Sequence, residues 1–258
     1  MCEVFRRCLH WGIILLCAVA DAQLTTMPLW FQQIPTDSSC IYSVGIANRY
    51  SNDHDSFMAA RDDGVGNLIR AYKVHIRSGL AQYVEGATIG VKTFITEEID
   101  SILYKKIDDY SVVLDSLLTS KQAIVLVGWK EEYSITSKPC TITQRFKTIN
   151  TNHPKSPYWV KSAPQKSGYI YGVGMSKAYS YLARSWNESA KNGRQEVAKQ
   201  IHISQSTLEY HYDSGGDFEK SWMEEVVDVT LKGAMVTKRW YDTERKIYYT
   251  LVEYGIPK

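Results

Sequence analysis

The chain carries the same pattern twice at a fixed spacing. Pro28, Trp30, Pro35, Ser38, Ile41, Tyr42, Val44 and Gly45 recur as Pro157, Trp159, Pro164, Ser167, Ile170, Tyr171, Val173 and Gly174, each pair 129 positions apart with no gap. A period this long belongs to a duplicated domain rather than to a solenoid of short units. Residues held by both copies point to the fold, and residues unique to one copy point to function. By that test the shared set is structural, and no catalytic set stands out.

The N-terminus reads as a secretory signal. Arg6 and Arg7 precede an apolar run from Leu9 to Ala20, which ends in Ala20-Asp21-Ala22, an A-x-A site before Gln23. The run is shorter than the roughly twenty residues a spanning helix needs. The reading is a signal peptide over 1–22, a first domain over 23–147, a linker over 148–156 rich in Asn, Thr and Pro, and a second domain over 157–258. The mature chain is expected to have no transmembrane segment and to reside in the periplasm or at the outer membrane. An uncleaved anchor and lipidation at Cys17 are the alternatives, although Leu16 is not the small residue a lipid-attachment site wants before its cysteine. The formal net charge of +2 gives no electrostatic footprint for nucleic acid.

Of five cysteines, Cys2, Cys8 and Cys17 fall in the leader, leaving Cys40 and Cys140, both in the first copy. Two cysteines in an exported protein suggest one disulfide. The alternative is two unpaired thiols. With no C-x-x-C they form neither a metal nor a redox site.

Each copy opens with Pro-x-Trp-x-x-x-x-Pro, which enters extended and sets the tryptophan against the domain. A short strand follows, Cys40–Ala47 or Tyr169–Ser176, rich in Tyr, Ile and Val. Next comes an amphipathic helix, with Phe57, Ala60, Gly64, Leu68 and Tyr72 in one copy and Trp186, Ala190, Gly193, Val197 and Ile201 in the other. A mid-helix glycine costs about 1 kcal/mol against alanine, so its presence in both copies argues for close approach to the sheet. The polar faces, with Arg61, Asp62, Asp63 and with Lys191, Asn192, Arg194, read as solvated. Leu208, Tyr210 and Tyr212 alternate as in a strand, and Asp213–Asp217 reads as a loop. Met235–Trp240 with Lys246–Glu253, and Ser111–Leu117 with Gln122–Gly128, read as closing hairpins. Segments Ile95–Ile99 and Trp222–Val226 are left open between strand and helix. The expected class is α+β: two tandem homologous two-layer domains, each a mainly antiparallel sheet covered by one long helix.

Chemistry-bearing patterns are weak. Ser43 and Ser176 lie in no G-x-S-x-G, and Gly172-x-Gly174 lacks the third glycine of a dinucleotide turn. His54, His75, His153, His202 and His211 show no zinc spacing. Asn52-Asp53-His54-Asp55 has oxygens for a hard cation, but before an amphipathic helix these are cap residues. Glu97-Glu98 and Glu224-Glu225 raise paired-acid chemistry, yet adjacent glutamates point apart and read as surface. Asn187-Glu188-Ser189 fits the glycosylation pattern on a helix. No catalytic, cofactor or metal residues are assigned.

Pro157-Tyr158-Trp159, Tyr171-Gly172-Val173-Gly174, the helix with Gly193, and Trp240-Tyr241-Asp242 with Tyr248-Tyr249 resemble the LPP20 family of bacterial envelope lipoproteins. The first copy keeps Pro28-Leu29-Trp30, Tyr42-Ser43-Val44-Gly45 and Gly64 but has a poorer end. The resemblance implies small α+β proteins of the periplasm and outer membrane, several linked to motility and surface structures, and not enzymes. It points to an exported structural or assembly protein whose partners are envelope proteins or a second copy of itself. The alternatives are a polysaccharide- or peptidoglycan-binding module using the aromatic residues, and a hydrolase with its site between the halves.

Overall fold

A computed structural model describes residues 26–37, 39–85, 88–131, 140, 148–150, 155–209 and 227–257. The first half runs β1 (Thr26–Pro28), α1 (Leu29–Gln32), β2 (Ile41–Asn48), α2 (Asp53–Tyr72), β3 (Lys73–Glu85), β4 (Thr88–Glu98), α3 (Ser101–Tyr110), β5 (Val112–Leu118) and β6 (Gln122–Trp129). The second runs β7 (Thr148–Asn150), α4 (Tyr158–Lys161), β8 (Tyr169–Lys177), α5 (Leu182–Glu209), β9 (Val227–Lys232), β10 (Ala234–Asp242) and β11 (Ile247–Gly255). The fold is α+β, with helices laid on antiparallel sheets.

The two halves share one plan. In each, the strand before the long helix pairs with the last strand and the last with the one before it along the closing hairpin, giving sheets in the order β2-β6-β5 and β8-β11-β10. Each closing hairpin carries a register shift, between Val113 and Asp115 and between Val236 and Lys238. A bulge of this kind bends the strand and raises its twist. α2 is started by Asn52, whose side chain accepts the His54 N–H at 2.9 Å, with Asp53 and Asp55 in the first turn where the helix dipole favours anions. Ser56 and Ser185, both fully buried, accept the N–H of Tyr50 and Tyr179 at 2.8 Å and tie each strand-to-helix turn.

The halves interlock. β9 of the second half pairs with β3 of the first, from Lys73 opposite Lys232 to Ser78 opposite Val227, in a sheet of order β4-β3-β9. Gly233, with φ of 82°, takes the chain from β9 into β10, a conformation a Cβ would resist. β7, within the segment read as a linker, pairs with β1. The core is shared accordingly. Val74 and Ile76 pack with Val197, Leu231 and Val252, while Phe31, Ile46 and Ile124 pack with Trp186 and Tyr248.

The structure differs from the sequence reading in places. Thr207–Glu209 ends α5 instead of starting a strand, and Tyr210, Tyr212 and the Asp213–Asp217 loop lie outside the described residues. Ile95–Glu98 is strand, at the end of β4. Trp222–Val226, His153 and His211 fall outside the described residues. Cys40 and Cys140 form the disulfide, with Cα atoms 6.0 Å apart.

Candidate functional site

Each helix is seated on its sheet by a glycine pair. A Cβ on Gly45 would stand 2.7 Å from Gly64 Cα and run into Ala60 O; on Gly174 it would stand 2.9 Å from Gly193 Cα and run into Ser189 O. A Cβ on Gly64 or Gly193 would meet Val127 Cγ2 at 2.7 Å or Val252 Cγ2 at 2.8 Å. The helices therefore press backbone to backbone on the strands, and this contact is what the repeated glycines are for. Pro28 and Pro157 precede α1 and α4, which drop Trp30 and Trp159 onto the sheet, 4% and 7% exposed. Trp30 Nε1 donates to Asp115 Oδ2 at 2.8 Å. Tyr42 and Tyr171 lie beneath them, buried. Burial, and then Glu253 as charge and hydrogen-bond partner, push Tyr171 up to about 12.

The halves meet at a buried polar junction, where Asp63 and Arg194 of the helix faces read as solvated are instead closed, while Asp62 stays exposed. Asp63 Oδ2 accepts the Ile46 N–H at 2.9 Å, and Asp63 Oδ1 accepts Asn187 Nδ2 of the second half at 2.8 Å. Burial raises the Asp63 carboxyl above its ordinary range, against the pull of those two bonds and of Arg70 and Arg239. Asn187, of the glycosylation pattern, is thus engaged in the junction.

Glu97, read as surface, is inside. Its carboxylate accepts from Arg194 Nε at 2.6 Å and Nη2 at 3.1 Å, and pairs with Arg70 Nε at 3.2 Å. Arg194 is 3% exposed. Burial pushes Glu97 up, but Arg194, Arg70 and Lys191 outweigh it and hold the carboxyl below the usual range. One strand of the first half thereby clamps a helix from each half, through a bidentate, charge-assisted contact to Arg194 and a single ion pair to Arg70.

Arg239 of β10 lies 5.5 Å over the Phe31 ring and 5.8 Å over Trp186. Its Nε and Nη1 meet no hydrogen-bond partner among the described residues. Burial, with repulsion from Arg194 and despite Asp63, lowers its pKa to about 10. Periodicity cannot find these residues, because a polar helix face facing water and one facing another polar face read alike. A sharper signal was available in the mismatch between copies, since Asn192 stands where Asp63 does. Asp63 accepts a strand N–H, while Asn192 donates to the Met175 carbonyl at 2.6 Å.

The second half also carries an opening. A cavity of about 540 Å³ lies over its sheet, floored by Met175, Trp240 and Tyr249, walled by Val160 and rimmed by Lys161 and Asp242. The Trp240 and Tyr249 rings stand 5.3 Å apart. Among the described residues no helix is long and apolar enough to cross a membrane, and no cluster of His, Cys, Asp or Glu is placed to hold a metal.

Fold and site together define an α+β protein of two interlocked helix-on-sheet units, with a closed polar junction and a shallow cavity beside the aromatic cluster of the second unit. Residues 157–254 match the model of the LPP20 lipoprotein family, so the second unit is similar to those proteins and the match points to association with the cell envelope. No curated protein and no solved structure matches the chain.

Proposed function

We propose that this chain is an exported bacterial envelope protein that acts through protein–protein contacts, as a structural or assembly component and not by turning over a substrate. The observation that carries the reading is the exposed apolar surface of the second unit, where Tyr158 is 76% exposed, Tyr181 60% and Met175 55%. Exposed apolar surface of this kind marks an interaction site. The LPP20 match supports the envelope setting, and motility or surface machinery is the finer setting that the resemblance implies. The test is affinity capture from detergent-solubilised envelope with the full chain as bait. A protein retained in fixed stoichiometry supports the reading. Retention of polysaccharide or peptidoglycan without a protein supports the second reading, a glycan-binding module, which the exposed Tyr158 and Tyr181 rings favour as stacking surface.

A further inference from the structure

The charges buried where the halves meet do not balance. Among the described residues the junction brings together three guanidiniums, of Arg70, Arg194 and Arg239, and two carboxylates, of Asp63 and Glu97. Glu97 takes both Arg194 and Arg70. Asp63 takes amides: the Ile46 N–H at 2.9 Å, Asn187 Nδ2 at 2.8 Å and Asn67 Nδ2 at 3.4 Å. Arg239 is the cation left over. It is 5% exposed, and Asp63 acts on it by charge without a hydrogen bond. The Phe31 and Trp186 rings, 5.5 and 5.8 Å from its Cζ, offset part of the cost of burial but supply no counter-charge. A buried cation without a hydrogen-bonded anion is expensive.

A second orphan group stands beside it. Thr250 of β11 lies directly opposite Arg239 of β10, so the two side chains share one side of the sheet, with Cβ atoms about 5 Å apart as in any such cross-strand pair. Thr250 is fully buried, and its Oγ1, like Arg239 Nε and Nη1, has no hydrogen-bond partner among the described residues. We infer that Arg239 and Thr250 form a site for one small monovalent anion, a halide such as chloride, enclosed where the halves meet.

Three properties of the pair select that ligand. The guanidinium N–H groups and the hydroxyl all have protons to give, which an anion accepts outright, whereas a water must also find acceptors for its own two protons. The one unmatched guanidinium sets the charge at minus one. Burial sets the size, since an ion closed in at this depth is shut off from solvent and from any larger molecule to which it could be attached. Arg239 touches rings of both halves, Phe31 of the first and Trp186 of the second, so the anion fixes the junction. The inference is independent of the protein-contact reading above.

The test is thermal unfolding of the full chain in sodium chloride and in sodium gluconate at equal ionic strength, so that screening is the same and only the size of the anion differs. Chloride, and bromide likewise, is expected to raise the midpoint over gluconate by about 3–5 °C along a saturating one-site curve. Thr250→Val keeps the shape and removes the hydroxyl, and is expected to move saturation to roughly 10-fold higher chloride. Arg239→Met is expected to abolish the difference between the salts. Should Arg239→Met fail to fold, Thr250→Val and the crystal decide: in crystals grown in bromide, an anomalous peak is expected within hydrogen-bond reach of Arg239 Nε and Thr250 Oγ1. A midpoint that follows ionic strength alone, a chloride curve unchanged in Thr250→Val, or a water and no bromide at Arg239 overturns the proposal.

Discussion

The two units are built alike and finished differently. Both seat a helix on a three-stranded sheet through a glycine pair, and both fix the strand-to-helix turn with a buried serine. The first unit then has its outer sheet face closed, by α1, by the Cys40–Cys140 bond and by aromatic side chains of the second. The second has only α4 over the same face, which buries Tyr171, Tyr249 and Leu251 but leaves Met175 exposed at the edge. One scaffold can be an internal bearing surface or an external one, and the difference lies in a few side chains on its faces and not in the strand order.

The largest asymmetry is covalent. Replacing both Cys40 and Cys140 by serine should destabilise the chain by about 4–5 kcal/mol in the chain-entropy account of a loop this long. Urea unfolding, followed with and without reductant, should show the loss in wild-type protein and not in the variant. A smaller effect of reductant on wild type would mean that the aromatic cover, and not the bond, closes the first unit.

Glu97→Gln comes next, at about 3–4 kcal/mol, because it strands the buried Arg194 guanidinium. Its pH dependence follows from the sign of the shift. A carboxyl held below its unfolded pKa stabilises the fold above that unfolded value, and the contribution is lost as pH falls through the folded pKa. Wild-type protein should therefore lose stability in acid more steeply than Glu97→Gln, measured as urea midpoints across the carboxylate range.

The glycine pairs test whether the scaffolds are equivalent. Gly45→Ala and Gly174→Ala should each cost about 3 kcal/mol or more, since the added methyl meets backbone that cannot rotate away. If one substitution is tolerated, that helix is not pressed on its strand as the other is.

Asp63→Asn should be the mildest, within about 1 kcal/mol of wild type and on the stabilising side. Burial raises this carboxyl, so its charged form opposes folding, and the opposition appears as pH rises above the unfolded pKa. The neutral variant should thus gain relative to wild type at neutral pH and lose that advantage in acid. A large destabilisation would show that the Asp63 charge, facing Arg239, holds the halves together.

Much of this architecture was legible in the residues. The strand read as Tyr169–Ser176, the start of the first long helix at Asn52–Asp55, the closing hairpins and the paired glycines all follow from local spacing. The β4-β3-β9 sheet was not, because it joins strands from different copies, as Lys73 to Lys232 shows. Nor was the burial of Asp63, Glu97 and Arg194. Each sits where an amphipathic pattern calls for solvent, and each is closed off only because the other half arrives with a complementary group.

The amino-acid order alone set the repeated unit: proline and tryptophan at its entry, alternating apolar side chains in its strands, and glycines where helix and strand must touch. Those choices rest on backbone sterics and on side-chain periodicity, which act over a few residues and can be read along the chain. Which sheet face is covered and which stays open was decided only by the packing of one unit on the other. A polar or aromatic surface carries the same residues whether it meets water or a neighbour, and only the neighbour's position tells them apart.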